Sequence, residues 1–124
     1  GRNMGRFVIK KVQSGYSFRL VAGNGETIGT SEVYATEDNC KKGITSVKNN
    51  AEVAEIEDQT LNEAKKNPKF EIYKDVASEF RFRLTARNGE NILASEGYSS
   101  KDACKNGINS VKVNTAGATV EVTY

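Results

Sequence analysis

The sequence predicts an α+β fold built from two tandem copies of one unit, each of three β-strands, a helix and a last strand. The first observation is a long internal repeat. Phe18-Arg19-Leu20, Asn24-Gly25-Glu26, Ser31-Glu32, Tyr34, Cys40-Lys41, Gly43-Ile44 and Ser46-Val47-Lys48 recur as Phe82-Arg83-Leu84, Asn88-Gly89-Glu90, Ser95-Glu96, Tyr98, Cys104-Lys105, Gly107-Ile108 and Ser110-Val111-Lys112. The register holds without a gap from the second strand onward. Upstream, Phe7-Val8-Ile9 matches Phe70-Glu71-Ile72 at a spacing one residue shorter, so the second copy has one extra residue in its first turn. The second observation is that apolar spacing within each copy changes from every second residue to every third and fourth, as from strand to helix. A unit this small cannot bury its own apolar face, so the two copies must close one core together. On this reading residues 4–59 are the first repeat, 60–69 a linker and 70–124 the second repeat, folding as one cooperative domain. Gly1-Arg2-Asn3, ahead of Met4, reads as a remnant upstream of a natural start.

The elements are clearest in the second copy. Phe70 to Lys74 alternates apolar and polar residues and forms the first strand. Glu79 to Ala86 has apolar side chains at every even position, which is a strand with one buried face and one wet face. Asn88-Gly89 is the strongest two-residue hairpin signal, expected as a type I′ turn with both central residues at positive φ. Glu90 to Ser95 then returns as the third strand. Ser100 caps a helix running to about Asn114, with Asp102 in its first turn, as Thr36 and Asp38 do in the first copy. Gly43 and Gly107 inside the helices each cost about 1 kcal/mol against alanine, and close approach of helix to sheet is the expected reason. Ala54 to Glu57 and Ala118 to Val122 are the last strands. In the linker, Thr60 and Glu63 have capping-box spacing for a single helical turn, which Pro68, the only proline, ends.

Composition excludes more than it assigns. The formal charge is +2, from 18 Lys plus Arg against 16 Asp plus Glu, far from the basic balance of a dedicated nucleic-acid binder. Histidine is absent, so there is no Ser-His-Asp or Cys-His nucleophile pair and no His-ligated metal. Cys40 with Gly43, Ile44 and Val47, and Cys104 with Gly107, Ile108 and Val111, follow the i, i+3, i+4, i+7 pattern of one helical face. That places both thiols in the core as reduced side chains, in preference to a disulfide or a two-thiolate metal site. No apolar run reaches membrane-spanning length, and with no charged-then-apolar stretch at the start no secretory leader is expected. A cytoplasmic protein with no membrane association, no metal and no cofactor is expected.

Several linked motifs point to a family. Phe70-Glu71-Ile72-Tyr73-Lys74-Asp75, Phe80-Arg81-Phe82-Arg83-Leu84, Asn88-Gly89-Glu90, Ser95-Glu96-Gly97-Tyr98 and Cys104-Lys105-Asn106-Gly107-Ile108 closely resemble the YegP-like family of small uncharacterised bacterial proteins. The resemblance covers both copies, essentially Met4 to Tyr124. The first copy departs more, with Lys10 and Val12 where the second has Tyr73 and Asp75, and Val33 in place of Gly97. The resemblance implies a β-β-β-α-β unit, twice in one chain or once in each subunit of a dimer, whose copies share a continuous sheet and exchange their last strands. It brings no activity, cofactor or catalytic residue.

The residues accommodate that fold as one antiparallel sheet with two helices packed on one face and an internal pseudo-twofold axis in a monomer. The strand at Ala54 would add to the second copy and the strand at Ala118 to the first, covering each edge. Phe80, Phe82, Leu84, Ile92, Tyr16, Phe18, Leu20 and Ile28 would face the helices. Arg19, Arg81, Arg83, Lys10, Tyr73 and Thr85 would stand on the opposite, wet face. Of these Arg19, Arg81, Arg83, Tyr73 and Lys10 form the candidate binding face. Three readings compete for it: a non-enzymatic module receiving an anionic small molecule or a protein partner's acidic patch, single-stranded nucleic-acid binding by base stacking, and a small enzyme of unidentified activity. Nucleic acid is disfavoured by the lone outward aromatic, Tyr73, and an enzyme by the lack of any nucleophile-and-base constellation. Cross-strand pairing of Arg19 with Glu32 and of Arg83 with Glu96 is a purely structural alternative.

Overall fold

The computed structural model describes residues 5–124. The elements run β1 (Arg6–Val12), β2 (Gly15–Val21), β3 (Thr27–Thr30), α1 (Glu37–Ala51), β4 (Glu55–Asp58), β5 (Lys69–Lys74), β6 (Phe80–Thr85), β7 (Asn91–Ala94), α2 (Lys101–Thr115) and β8 (Thr119–Val122). One eight-stranded sheet has the order β4-β5-β6-β7-β3-β2-β1-β8. The two copies therefore meet at β3 and β7, and each sends its last strand to the far edge of the other. Phe7, Phe18, Leu20, Phe70, Phe82 and Leu84 point to the helices and pack with Cys40, Ile44, Val47, Cys104, Ile108 and Val111 in one core. Tyr16 and Phe80 lie at its rim, half-buried. Both thiols are fully buried and free.

The sheet is mixed, which corrects the expectation of a wholly antiparallel one. β1 through β3 and β5 through β7 are antiparallel, as is the central β3–β7 pair, but β4 lies parallel to β5 and β8 parallel to β1. The physical reason is connectivity. A short hairpin forces reversal, whereas β4 and β8 arrive through helices from the other copy, and a helical crossover imposes none. The exchange also relocates the sheet edges without removing them. β8 is itself an edge, with Val120 and Val122 more than two-fifths exposed.

Two lysines at equivalent positions hold the exchanged strands. Lys48 Nζ donates to the carbonyl of Ala118 at 3.0 Å, just before β8, and Lys112 Nζ donates to the carbonyl of Ala54 at 2.8 Å, just before β4. Each ammonium also lies over a core ring of its own copy, Phe7 at 5.9 Å and Phe70 at 5.7 Å.

Local chemistry refines three further expectations. Thr36 and Ser100 cap α1 and α2 as expected, accepting from the amides of Asn39 and Ala103. The Asn-Gly turns are not type I′: only Gly25 and Gly89 have positive φ, at 90° and 86°. Gly25 and Gly89 donate back to the carbonyls of Ala22 and Ala86, so each loop is three residues with a left-handed glycine. Asn24 and Asn88 favour this form because their Oδ1 accepts the amide two residues on. In the helices, Gly43 and Gly107 yield to a tyrosine of their own copy more than to the sheet backbone. A Cβ there would collide with the hydroxyl of Tyr34 or Tyr98. The linker does turn, as a 3-10 segment at Gln59–Leu61, but its cap is Asp58 and not Thr60. Asp58 accepts from Thr60 N, and the Glu63 carboxylate returns to Asp58 N, so the box is set two residues earlier.

Candidate functional site

Alternation along β1, β2, β5 and β6 sends Arg19, Arg81, Arg83, Lys10 and Tyr73 to the face opposite the helices. The pairing registers of the two copies match position by position. Val8 stands opposite Arg19 as Glu71 stands opposite Arg83, and Lys10 stands opposite Ser17 as Tyr73 stands opposite Arg81. The two halves of this face nevertheless differ in charge.

The second half neutralises itself. Arg83 Nε pairs with Glu71 Oε1, and its guanidinium lies 4.3 Å from the centre of the Tyr73 ring. Arg81 Nε donates to Asp75 Oδ2 at 2.6 Å. That bond, with the amides of Glu79 and Ala77, holds the Asp75 carboxyl below its ordinary range. Glu71 is shared with Lys69 at 3.2 Å, and Lys69 also reaches Glu57 at 2.8 Å. Burial alone would raise the Glu57 carboxyl. The bonds from Lys69 Nζ, Lys65 N and Gln59 outweigh it and hold the group at about 2. The sequence expectation that Arg83 pairs with Glu96 is corrected: Glu71 stands directly opposite Arg83 on the neighbouring strand. One face of the Tyr73 ring is covered by this arginine, which leaves only the other for stacking on a base.

The first half has Val8 where the second has Glu71, and Val12 where it has Asp75. Arg19, expected to pair with Glu32, has no carboxylate partner among the described residues. Lys10 and Arg19 line a depression of about 260 Å3 with Val8, Ser17, Thr30 and Ser31. Its floor is Val8, almost fully buried, and Ser17 is nearly so. Ser31 Oγ accepts from Phe18 N and donates to the carbonyl of Glu32, which fixes one wall. The acid on the adjoining strand, Glu121, is turned to Arg6 at 3.5 Å.

Of the five expected site residues, the structure brings Lys10 and Arg19 together and leaves Arg81, Arg83 and Tyr73 engaged with their own neighbours. Val8, Ser17 and Thr30 were not singled out from the sequence. The signal for them was the loss of two acids, at positions 8 and 12, when the copies are laid over one another. Among the described residues no group of three or more metal-ligating side chains occurs, and no helix is long and apolar enough to cross a membrane.

The family described as a domain of unknown function (DUF1508) matches the chain twice, over residues 13–58 and 75–121. The chain belongs to that family. It is 41% identical over 112 residues to the UPF0339 protein YegP of Yersinia pestis, covering 90% of this chain and 88% of that one. The solution structure of yegP from E. coli, described as a protein of unknown function, superimposes with a TM-score of 0.79 at 34% identity, covering 99% of this chain and 97% of that one. A UPF0339 protein of Treponema denticola is 56% identical over 52 residues, which is 90% of its length and 42% of this chain. That relative is about one repeat long.

Proposed function

We propose that this DUF1508 protein is a non-enzymatic binding module that receives an anionic ligand, or an acidic patch of a protein partner, in the basic depression of its first copy. The observation that carries this reading is the pair Lys10 and Arg19 on a buried apolar floor without a carboxylate of their own. An unpaired guanidinium beside an ammonium offers forked and point-charge donors to one anion. The hydroxyls of Ser17, nearly buried, and of Thr30, exposed, line the same depression and supply further polar contacts. The second copy provides the frame, since β8 pairs with β1 at Val8 itself.

The test is an amide chemical-shift titration with inorganic phosphate, succinate and an acidic peptide. Saturable shifts are expected at Lys10, Ser17, Arg19 and Thr30, lost in Lys10→Ala and Arg19→Ala and retained in Arg81→Ala. Absence of saturable shifts at these amides with every anion overturns the reading.

A further inference from the structure

We infer that the group received in the first copy's depression is a carboxylate, set on Arg19 in the place that the Glu71 side chain fills on Arg83. This rests on the anion-binding reading and narrows it. The argument uses the molecule's own pseudo-symmetry. Val8 opposite Arg19 and Glu71 opposite Arg83 occupy the same node of the same strand pair. In the second copy that node is filled from within: the Glu71 carboxylate meets the Arg83 guanidinium, and the carboxyl is one-eighth exposed. The second copy is thus a filled version of the site, with its carboxylate tethered to the chain.

In the first copy valine cannot supply the charge, and it shortens the side chain by the carboxylate itself. What remains is an arginine facing a buried apolar floor with room beside it for a planar, two-oxygen acceptor. Lys10 stands where Tyr73 stands in the second copy, so a second cation replaces the ring that covers Arg83. Ser17 replaces Arg81, and Val12 removes the Asp75 acid that would compete. Three of these differences, Val8 for Glu71, Val12 for Asp75 and Lys10 for Tyr73, shift the node from self-neutralised to acceptor-seeking, and the loss of the Arg81 cation at Ser17 offsets only one of them. A dicarboxylate or an acidic peptide segment satisfies this chemistry. The first would reach Arg19 with one carboxylate and Lys10 with the other.

The experiment compares succinate, a hexaglutamate peptide and inorganic phosphate by amide shift titration on four proteins: the native chain, Val8→Glu, Glu71→Val and Lys10→Ala. A carboxylate probe is expected to bind the native chain at least tenfold tighter than phosphate, with shifts at Ser17, Arg19 and Thr30. Val8→Glu installs the internal acid and should weaken that binding at least tenfold. Glu71→Val should open a second set of saturable shifts at Arg83 and Ala94. Since Val8 is buried, Glu71→Val and Lys10→Ala keep the test decisive if Val8→Glu does not fold. Saturation by succinate assigns a free small carboxylate, and saturation by the peptide alone assigns an acidic segment of a partner. Phosphate binding as tight as succinate, or no new site in Glu71→Val, overturns the carboxylate inference while leaving anion binding intact. Silence of these amides with all three probes removes both.

Discussion

At the scale of single residues, parity separates structural from surface roles. Leu84 is fully buried on the helix side, whereas Arg83, the next residue back, is about one-third exposed on the other. Leu84→Ala is expected to destabilise by about 2–5 kcal/mol through the cavity it leaves. Arg83→Ala is expected to lose only about 1 kcal/mol, because Lys69 still accompanies Glu71. Urea unfolding of the two variants checks this, and equal losses would make Arg83 a core partner. The thiols test the core directly. Burial first, then the nearby Asp58 carboxylate, pushes Cys104 up to about 11, and burial followed by Glu37 raises Cys40. Both should react slowly with a thiol reagent when folded and quickly in urea. Fast native labelling of either contradicts the packing. Glu57 sets an acid limb. Its folded value of about 2 lies below the ordinary 4.5, so its contribution is complete above about pH 4.5 and disappears as pH falls toward 2. Thermal midpoints measured across that window should fall more steeply in the native chain than in Glu57→Gln.

At the scale of elements, the exchanged strands depend on their lysine locks. Lys48→Met keeps the stem over Phe7 but leaves the Ala118 carbonyl without its donor, an expected loss of about 1 kcal/mol. Amide exchange should then quicken in β8 and not in β4, and Lys112→Met should do the reverse. Equal loosening of both strands by one variant would show that the lysines do not act locally. The elements themselves were largely legible in the sequence. The Glu79 to Ala86 alternation, the caps at Thr36 and Ser100, and the Cys40 and Cys104 helical faces all depend on residues near in sequence, where period and capping chemistry speak directly. The parallel direction of β4 and β8 was not legible, since it is set by where a helix delivers a strand. The Asn-Gly turns misled because Asn24 and Asn88 can either adopt positive φ themselves or cap the next amide, and here they cap. At the candidate site, the arginines' face followed from parity alone. Their partners did not, because Glu71 meets Arg83 across a strand pair and Asp75 reaches Arg81 around the turn after β5.

At the scale of the whole molecule, the duplicated unit yields a symmetric frame with an asymmetric surface. Cores, caps, turns and lysine locks are preserved between the copies, while the wet face is neutral in one and basic in the other. The basic depression is not a property of the first copy alone, because β8, from the second, lies against β1 at Val8. Interdependence of the copies is therefore the claim on which both fold and site stand. A chain whose halves share a core and trade strands should unfold in one step. The most direct measurement follows backbone amide resonances of both halves through a urea titration, for example Gly29 and Leu20 against Leu93 and Leu84. A single shared midpoint is the expected result, and two well-separated midpoints, one for each copy, would contradict the account.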